Sequence, residues 1–210
     1  MKRILAGVLA LALVGYLGCA ANAAEIIAQG AQRVAITGSA DYASTYGDVH
    51  ASAATWATAG EYEYMFLDQF GVGLRGGWLL METQAKGGGN AHLQSYALDI
   101  VPKWHIPLEG NIAPYVGPKA GVSYVTDSVS SSRGGGSASA TVLDWGAVLG
   151  VDIFLSKNCA LNIEYDYTQY NVRTPRRSLG VPLGGAFNAV AAGNITVQDN
   201  AVTLGLAYWW

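Results

Sequence analysis

The 210 residues carry 12 basic and 15 acidic side chains, a formal net charge of −3, and only 13% of positions are charged. With 27 Gly, 12 Tyr and 6 Trp, the composition is too rich in glycine and aromatics for an ordinary soluble domain, and it has no basic footprint for nucleic acid. The length suits a single domain.

The chain opens on a secretory leader. Met1, Lys2 and Arg3 form a basic start, residues 4–17 an apolar run, and Ala21, Asn22 and Ala23 a small-residue cleavage site. The run is too short and wrongly flanked to span a membrane as a helix. Cys19 invites a lipoprotein reading, but Tyr16 and Leu17 before Gly18 fit a lipobox poorly. Residues 1–23 are therefore expected as a signal peptide, 24–32 as a short periplasmic segment and 33–210 as the folded body. Cleavage would remove Lys2 and Arg3, moving the charge from −3 to −5, and would remove Cys19, leaving Cys159 no partner for a disulfide.

Seven stretches then alternate at the period of two that marks strands. Residues 33–44 set Val34 and Ile36 against Thr37, Ser39 and Asp41; residues 56–66 set Trp56, Tyr62, Tyr64 and Phe66 against Glu61 and Glu63. Residues 70–80 set Val72, Leu74, Trp78 and Leu80 against Gly73, Arg75 and Gly77. Residues 92–104 set Tyr96, Leu98 and Ile100 against Ser95, Asp99 and Lys103, and residues 113–125 set Val116, Val122 and Tyr124 against Tyr115, Lys119 and Ser123. Residues 141–154 set Leu143, Trp145 and Leu149 against Asp144 and Asp152; residues 160–170 set Leu161, Ile163 and Tyr165 against Asn162, Glu164 and Asp166.

An eighth stretch, residues 201–210, closes the chain as AVTLGLAYWW. Val202, Leu204, Leu206, Tyr208 and Trp210 share one face, while the other is mostly small. A solvated face would be polar, so this pattern fits lipid on one side and a crowded lumen on the other. Eight stretches near the ~9–11 residues of a tilted spanning strand predict an all-β, eight-stranded antiparallel up-and-down transmembrane β-barrel.

Connection lengths point the same way. The links at 67–69, 106–112 and 155–159 are short, whereas 45–55, 82–91, 126–140 and 171–194 are long and polar, glycine-rich or proline-bearing. Short periplasmic turns and long outer loops, with both termini periplasmic, follow from this asymmetry. Aromatic residues gather at both strand ends: Phe66, Phe70, Trp104, Phe154, Tyr208 and Trp210 at one, and Tyr42, Trp56, Trp78, Tyr124 and Tyr167 at the other.

In leader, alternation, loop asymmetry and terminal AVTLGLAYWW the chain resembles the small outer-membrane β-barrels grouped around the OmpA membrane domain, OmpX/Ail and the Opa adhesins. The resemblance covers the mature chain and implies a bacterial outer-membrane location. It implies contact with lipid and lipopolysaccharide and with the barrel assembly machinery, for which Val202, Leu204, Leu206, Tyr208 and Trp210 would serve as the signal. Relatives include adhesins, envelope stabilisers and narrow pores, so fold alone does not choose among them. The expected role is non-enzymatic: structural, envelope or surface interaction through the outer loops, with an extracellular ligand or host surface as partner. The alternative is a narrow OmpW-like pore for small or hydrophobic solutes.

An eight-stranded barrel has an interior that its side chains fill, and charges there need partners. A first turn centred on Asp68 places Glu61 opposite Arg75, and a second centred on Glu109 places Asp99 opposite Lys119. A third centred on Asn158 would set Asp152 against Glu164 with like charge, demanding a register shift, protonation or a neighbouring cation. Such a network is expected as a structural plug; an ion gate is the alternative.

Catalysis draws little support. His50, His92 and His105 are dispersed, with no metal-ligand spacing, and no cofactor is expected. A lipid A-modifying enzyme would need His92 and Ser95 together, yet alternation puts them on opposite faces. Residues 128–140, SVSSSRGGGSASA, are expected to be flexible. Arg173, Arg176 and Arg177 around Pro175 form a cationic cluster suited to lipopolysaccharide phosphates.

Overall fold

The computed structural model describes residues 23–46, 51–85, 89–106, 108, 110–131, 134–173 and 194–210. The expected leader up to residue 22, His50, and the loop arginines Arg176 and Arg177 lie outside the described residues. A four-residue helix, α1 (Ala23–Ile26), precedes eight strands: β1 (Gln32–Tyr46), β2 (Ala51–Leu67), β3 (Phe70–Ala85), β4 (Gly89–His105), β5 (Ile112–Ser131), β6 (Gly134–Phe154), β7 (Cys159–Arg173) and β8 (Asn194–Trp209). Each strand pairs antiparallel with the next, and β8 returns to β1 to close the barrel. Closure leaves no edge whose N–H and C=O groups would face hydrocarbon.

Alternation sorts the side chains as the sequence requires. Ile36, Leu143 and Leu206 are 69%, 76% and 64% exposed on the outside, whereas Ala35, Val142 and Ala207 of the same strands are buried. So broad an exposed apolar wall needs lipid, not water, as its neighbour. Phe154 departs from the expected aromatic girdle. It is fully buried inside the barrel, because Ile153 takes the outward position of β6.

Strands run farther than the apolar alternation shows. β5 and β6 reach 20 and 21 residues and stay paired through Ser128↔Ser137 and Ser131↔Gly134, within the stretch expected to be flexible. Most of 45–55 and 82–91 is likewise ladder. Backbone pairing needs no side-chain pattern, so alternating apolar residues mark only the part of a strand that meets lipid. At the other end the connections are short, as expected: 68–69, 106–111 and 155–158. The molecule therefore has a turn end, where β1 begins and β8 ends, and a hairpin end.

Two turns differ from expectation by one residue each, in opposite directions. The second centres on Gly110, whose φ of 106° suits a residue without Cβ, and so Asp99 pairs with Gly121 instead of Lys119. Pro102 and Pro118 face each other in this hairpin, and the ladder skips residues 101–103 there. At the third turn Asn158 is drawn toward β8: its amide donates to Trp209 O at 2.7 Å and its carbonyl accepts from Trp209 N at 2.7 Å. The shift places Asp152 opposite Asn162, and Glu164 opposite Gly150.

The segment before β1 folds under the turn end. Ala23 N donates to Gly110 O, Gly30 N to Met65 O, and Gln29 N to the Asp68 carboxylate. Ala23 and Ile27 are buried there against Met65, Phe154 and Trp209, which form an apolar seal across the lumen.

Lumen filling depends on bare backbone opposite large side chains. A Cβ on Gly150 would lie 2.4 Å from the Tyr115 ring, whereas one on outward-facing Gly76 would meet nothing within 4 Å. Gly150→Ala should therefore destabilise the barrel by about 1–3 kcal/mol in urea unfolding, while Gly76→Ala should not destabilise it. Equal effects at the two positions would contradict the assignment of inner and outer faces.

Candidate functional site

The interior chemistry begins just above the apolar seal. His105 Nε2 lies 2.7 Å from Glu63, and the Trp209 indole N–H donates to Asp152 at 3.1 Å. Arg33, from the start of β1, makes two hydrogen bonds to Asp152, at 2.9 and 3.2 Å, and a third to Glu61 at 2.6 Å. All of these groups are buried.

Glu61 is the hub of the next layer. Besides Arg33 it accepts from Arg75 Nε and Nη2, at 2.9 and 2.7 Å, and from Lys103 Nζ. Arg75 also reaches from β3 across the lumen to β7, meeting Glu164 at 2.8 Å and Asp166 at 2.8 Å. In an eight-stranded barrel β3 and β7 are diametrically opposed, so this one guanidinium ties facing walls together. Tyr115 extends the layer by donating to Glu164 at 2.8 Å while accepting from Asn162 at 2.7 Å. Lys103 Nζ lies 4.5 Å from the centre of the Tyr115 ring. Such burial is tolerable because each cation meets several acceptors; one charge left alone would carry the full desolvation penalty.

Glu61 and Arg75 thus lie opposite and in contact, as their spacing suggests. Asp99 and Lys119 do not pair. Lys119 binds Asp166 at 2.5 Å, and the register shift at Gly110 carries Asp99 away from it. Asp152 and Glu164 escape like-charge opposition both by register and by cations, Arg33 on the first and Arg75 on the second. Sequence reasoning missed Arg33, Lys103, His105, Asn162 and Trp209 as members of the network. Inward alternation marks Lys103 and Asn162, but partners several strands away carry no sequence spacing.

His92 and Ser95 stay apart in orientation, Ser95 being buried toward the lumen and His92 half-buried. No group of three His, Cys, Asp or Glu among the described residues has the geometry to hold a metal ion. Arg173 ends β7, and Arg176 and Arg177 lie outside the described residues.

Residues 9–208 match a family described as the outer membrane protein beta-barrel domain. No curated protein matches the chain in sequence. Among solved structures, Neisserial surface protein A superposes with a TM-score of 0.57 at 14% identity, over 86% of this chain and 99% of that one. The attachment invasion locus protein Ail of Yersinia pestis gives 0.53 at 16% identity, over 87% and 99%. OprG of Pseudomonas aeruginosa gives 0.50 at 18% identity, over 87% and 97%. At these identities the likeness is one of fold.

A shared hub makes the ion pairs interdependent. Arg75→Met should cost about 3–5 kcal/mol of unfolding free energy. The double variant with Glu61→Leu should cost less than the two single changes combined, by about 0.5–3 kcal/mol. Strict additivity in the double-mutant cycle would show that the two side chains do not share the layer.

Proposed function

The chain belongs to the outer membrane protein β-barrel domain family, and on that premise we propose that it is a non-conducting, non-enzymatic barrel that serves the envelope or cell surface. Arg75 carries this reading: its guanidinium bridges Glu61 on one wall to Glu164 and Asp166 on the opposite wall. Ile27, Met65, Phe154 and Trp209 add an apolar seal at the turn end. A pore for small solutes would need a continuous path through both layers. With passage through the lumen blocked by these two layers, the hairpins at the far end remain as the outward surface, and function concentrates on segments held by a rigid scaffold.

In this reading both termini are periplasmic and the hairpins face outward, following the short-turn rule for such barrels. Val202, Leu204, Leu206, Tyr208 and Trp210, all exposed on the lipid face of the closing strand, form the signal for the assembly machinery. Arg173, with Arg176 and Arg177 beyond it, is the proposed contact for lipopolysaccharide phosphates, since guanidinium groups bind such oxygens in bidentate fashion.

Planar-bilayer recording separates plug from pore. The reconstituted barrel should give no discrete openings at modest voltage, and Arg75→Ala alone should not admit current while the apolar seal stands. Stepwise conductance by the wild-type protein would overturn the reading in favour of a narrow channel.

A further inference from the structure

Between the Arg75 layer and the hairpin end, the lumen holds a cavity of about 100 Å³. Its wall is partly apolar and small, with Ala59, Ala97 and Ala201, and partly hydroxyl-bearing, with Ser95, Ser123 and Thr203. Four aspartates also line it: Asp166, which is paired with Arg75 and Lys119, Asp199, and Asp99 and Asp144, the last two each only 3% exposed.

Glu63 and Glu164 of the layer below also have a buried oxygen without a hydrogen bond but meet cations there, whereas neither Asp99 nor Asp144 has an ion pair among the described residues. Asp144 accepts from the Ser123 hydroxyl at 2.5 Å through Oδ2, but its Oδ1 has no hydrogen-bond partner among the described residues, and the same holds for Asp99 Oδ1. The two cations beside the cavity are committed elsewhere: Arg75 to Glu61, Glu164 and Asp166, and Lys119 to Asp166. Asp99 and Asp144 also lie within hydrogen-bonding reach of each other, and two buried carboxylates so placed are costly unless a proton or a positively charged donor joins them.

We propose that this cavity binds a small organic cation from the hairpin side, specifically a primary ammonium group on a short alkyl chain. An ammonium offers three donors and no acceptor. Asp99 and Asp144 supply two acceptors, and a wall hydroxyl such as Ser95 or Thr203 supplies the third. The alanine wall receives the methylene groups that a bare metal ion would leave uncovered. A volume near 100 Å³ has room for a chain of a few carbons. A metal ion is the poorer fit, because no group of three His, Cys, Asp or Glu among the described residues could hold one. The site does not depend on whether the barrel conducts, since its floor is the ion-pair layer itself.

The test is isothermal titration of the full barrel in detergent micelles with n-propylammonium chloride, at ionic strength fixed by sodium chloride. Saturable one-to-one binding is expected. Asp99→Asn and Asp144→Asn, checked for folding by heat-modifiable migration, should each weaken it about tenfold or more, the scale of one charge-assisted bond. Asp68→Asn at the turn end should leave it unchanged. Ala97→Leu fills the cavity without touching a charge and should also weaken binding, which provides a second readout should either Asn variant fail to fold. Absence of saturable heat from the wild-type barrel would overturn the proposal. So would affinity unchanged by the cavity variants, or equal displacement by sodium or by guanidinium.

Discussion

A closed barrel of eight strands gives its interior no solvent of its own, so charge neutralisation among side chains is the constraint on which the rest of the structure depends. Arg33, Arg75, Lys103 and Lys119 meet Glu61, Glu63, Asp152, Glu164 and Asp166 within a few ångströms. None of these pairs would be worth its desolvation in isolation. Together they form a lattice in which Arg33, Arg75, Lys103, Glu61, Glu63, Glu164 and Asp166 each have more than one opposite neighbour, so that removing one of these strands others. The glycines of the lumen follow from the same constraint. Tyr115 can reach Glu164 and Asn162 because Gly150 leaves room for its ring.

The interior changes character from one end to the other. At the turn end it is apolar, sealed by Ile27, Met65, Phe154 and Trp209; in the middle it is ionic and tightly paired; toward the hairpin end it is acidic and partly empty. Trp209 joins the first two zones, since its ring packs in the seal while its N–H binds Asp152. The last residues of the chain thus do two jobs by alternation: Tyr208 and Trp210 face outward, and Trp209 closes the lumen between them.

Much of this was legible in the sequence, and the exceptions have physical causes. Period-two alternation marks the lipid-crossing part of every strand because lipid outside and a crowded lumen inside impose opposite chemistry on neighbouring residues. The stretches beyond, such as Ser128–Ser131 against 134–137, carry no such contrast, and so their pairing left no trace in the pattern. The first hairpin register followed from the turn at Asp68, giving Glu61 opposite Arg75. The next two failed because each turn centre moved by one residue, through the positive φ of Gly110 and the capture of Asn158 by Trp209. A one-residue move of the centre shifts every partner by two, which keeps inward residues inward but changes who meets whom. Contacts across the lumen, such as Arg75 with Asp166, are set by barrel closure and have no counterpart in local spacing.

Arginine side-chain exchange tests the ionic layer most directly. Arg33 Nε donates to Asp152 and Arg75 Nε to Glu61, both at 2.9 Å and both shielded from water. In barrel labelled with ¹⁵N-arginine, two Nε–H signals should persist at alkaline pH, one vanishing in Arg33→Lys and the other in Arg75→Lys, while the remaining arginines exchange rapidly. Fast exchange of every Nε–H signal would mean that water reaches the layer and that the lumen is not closed by these charges.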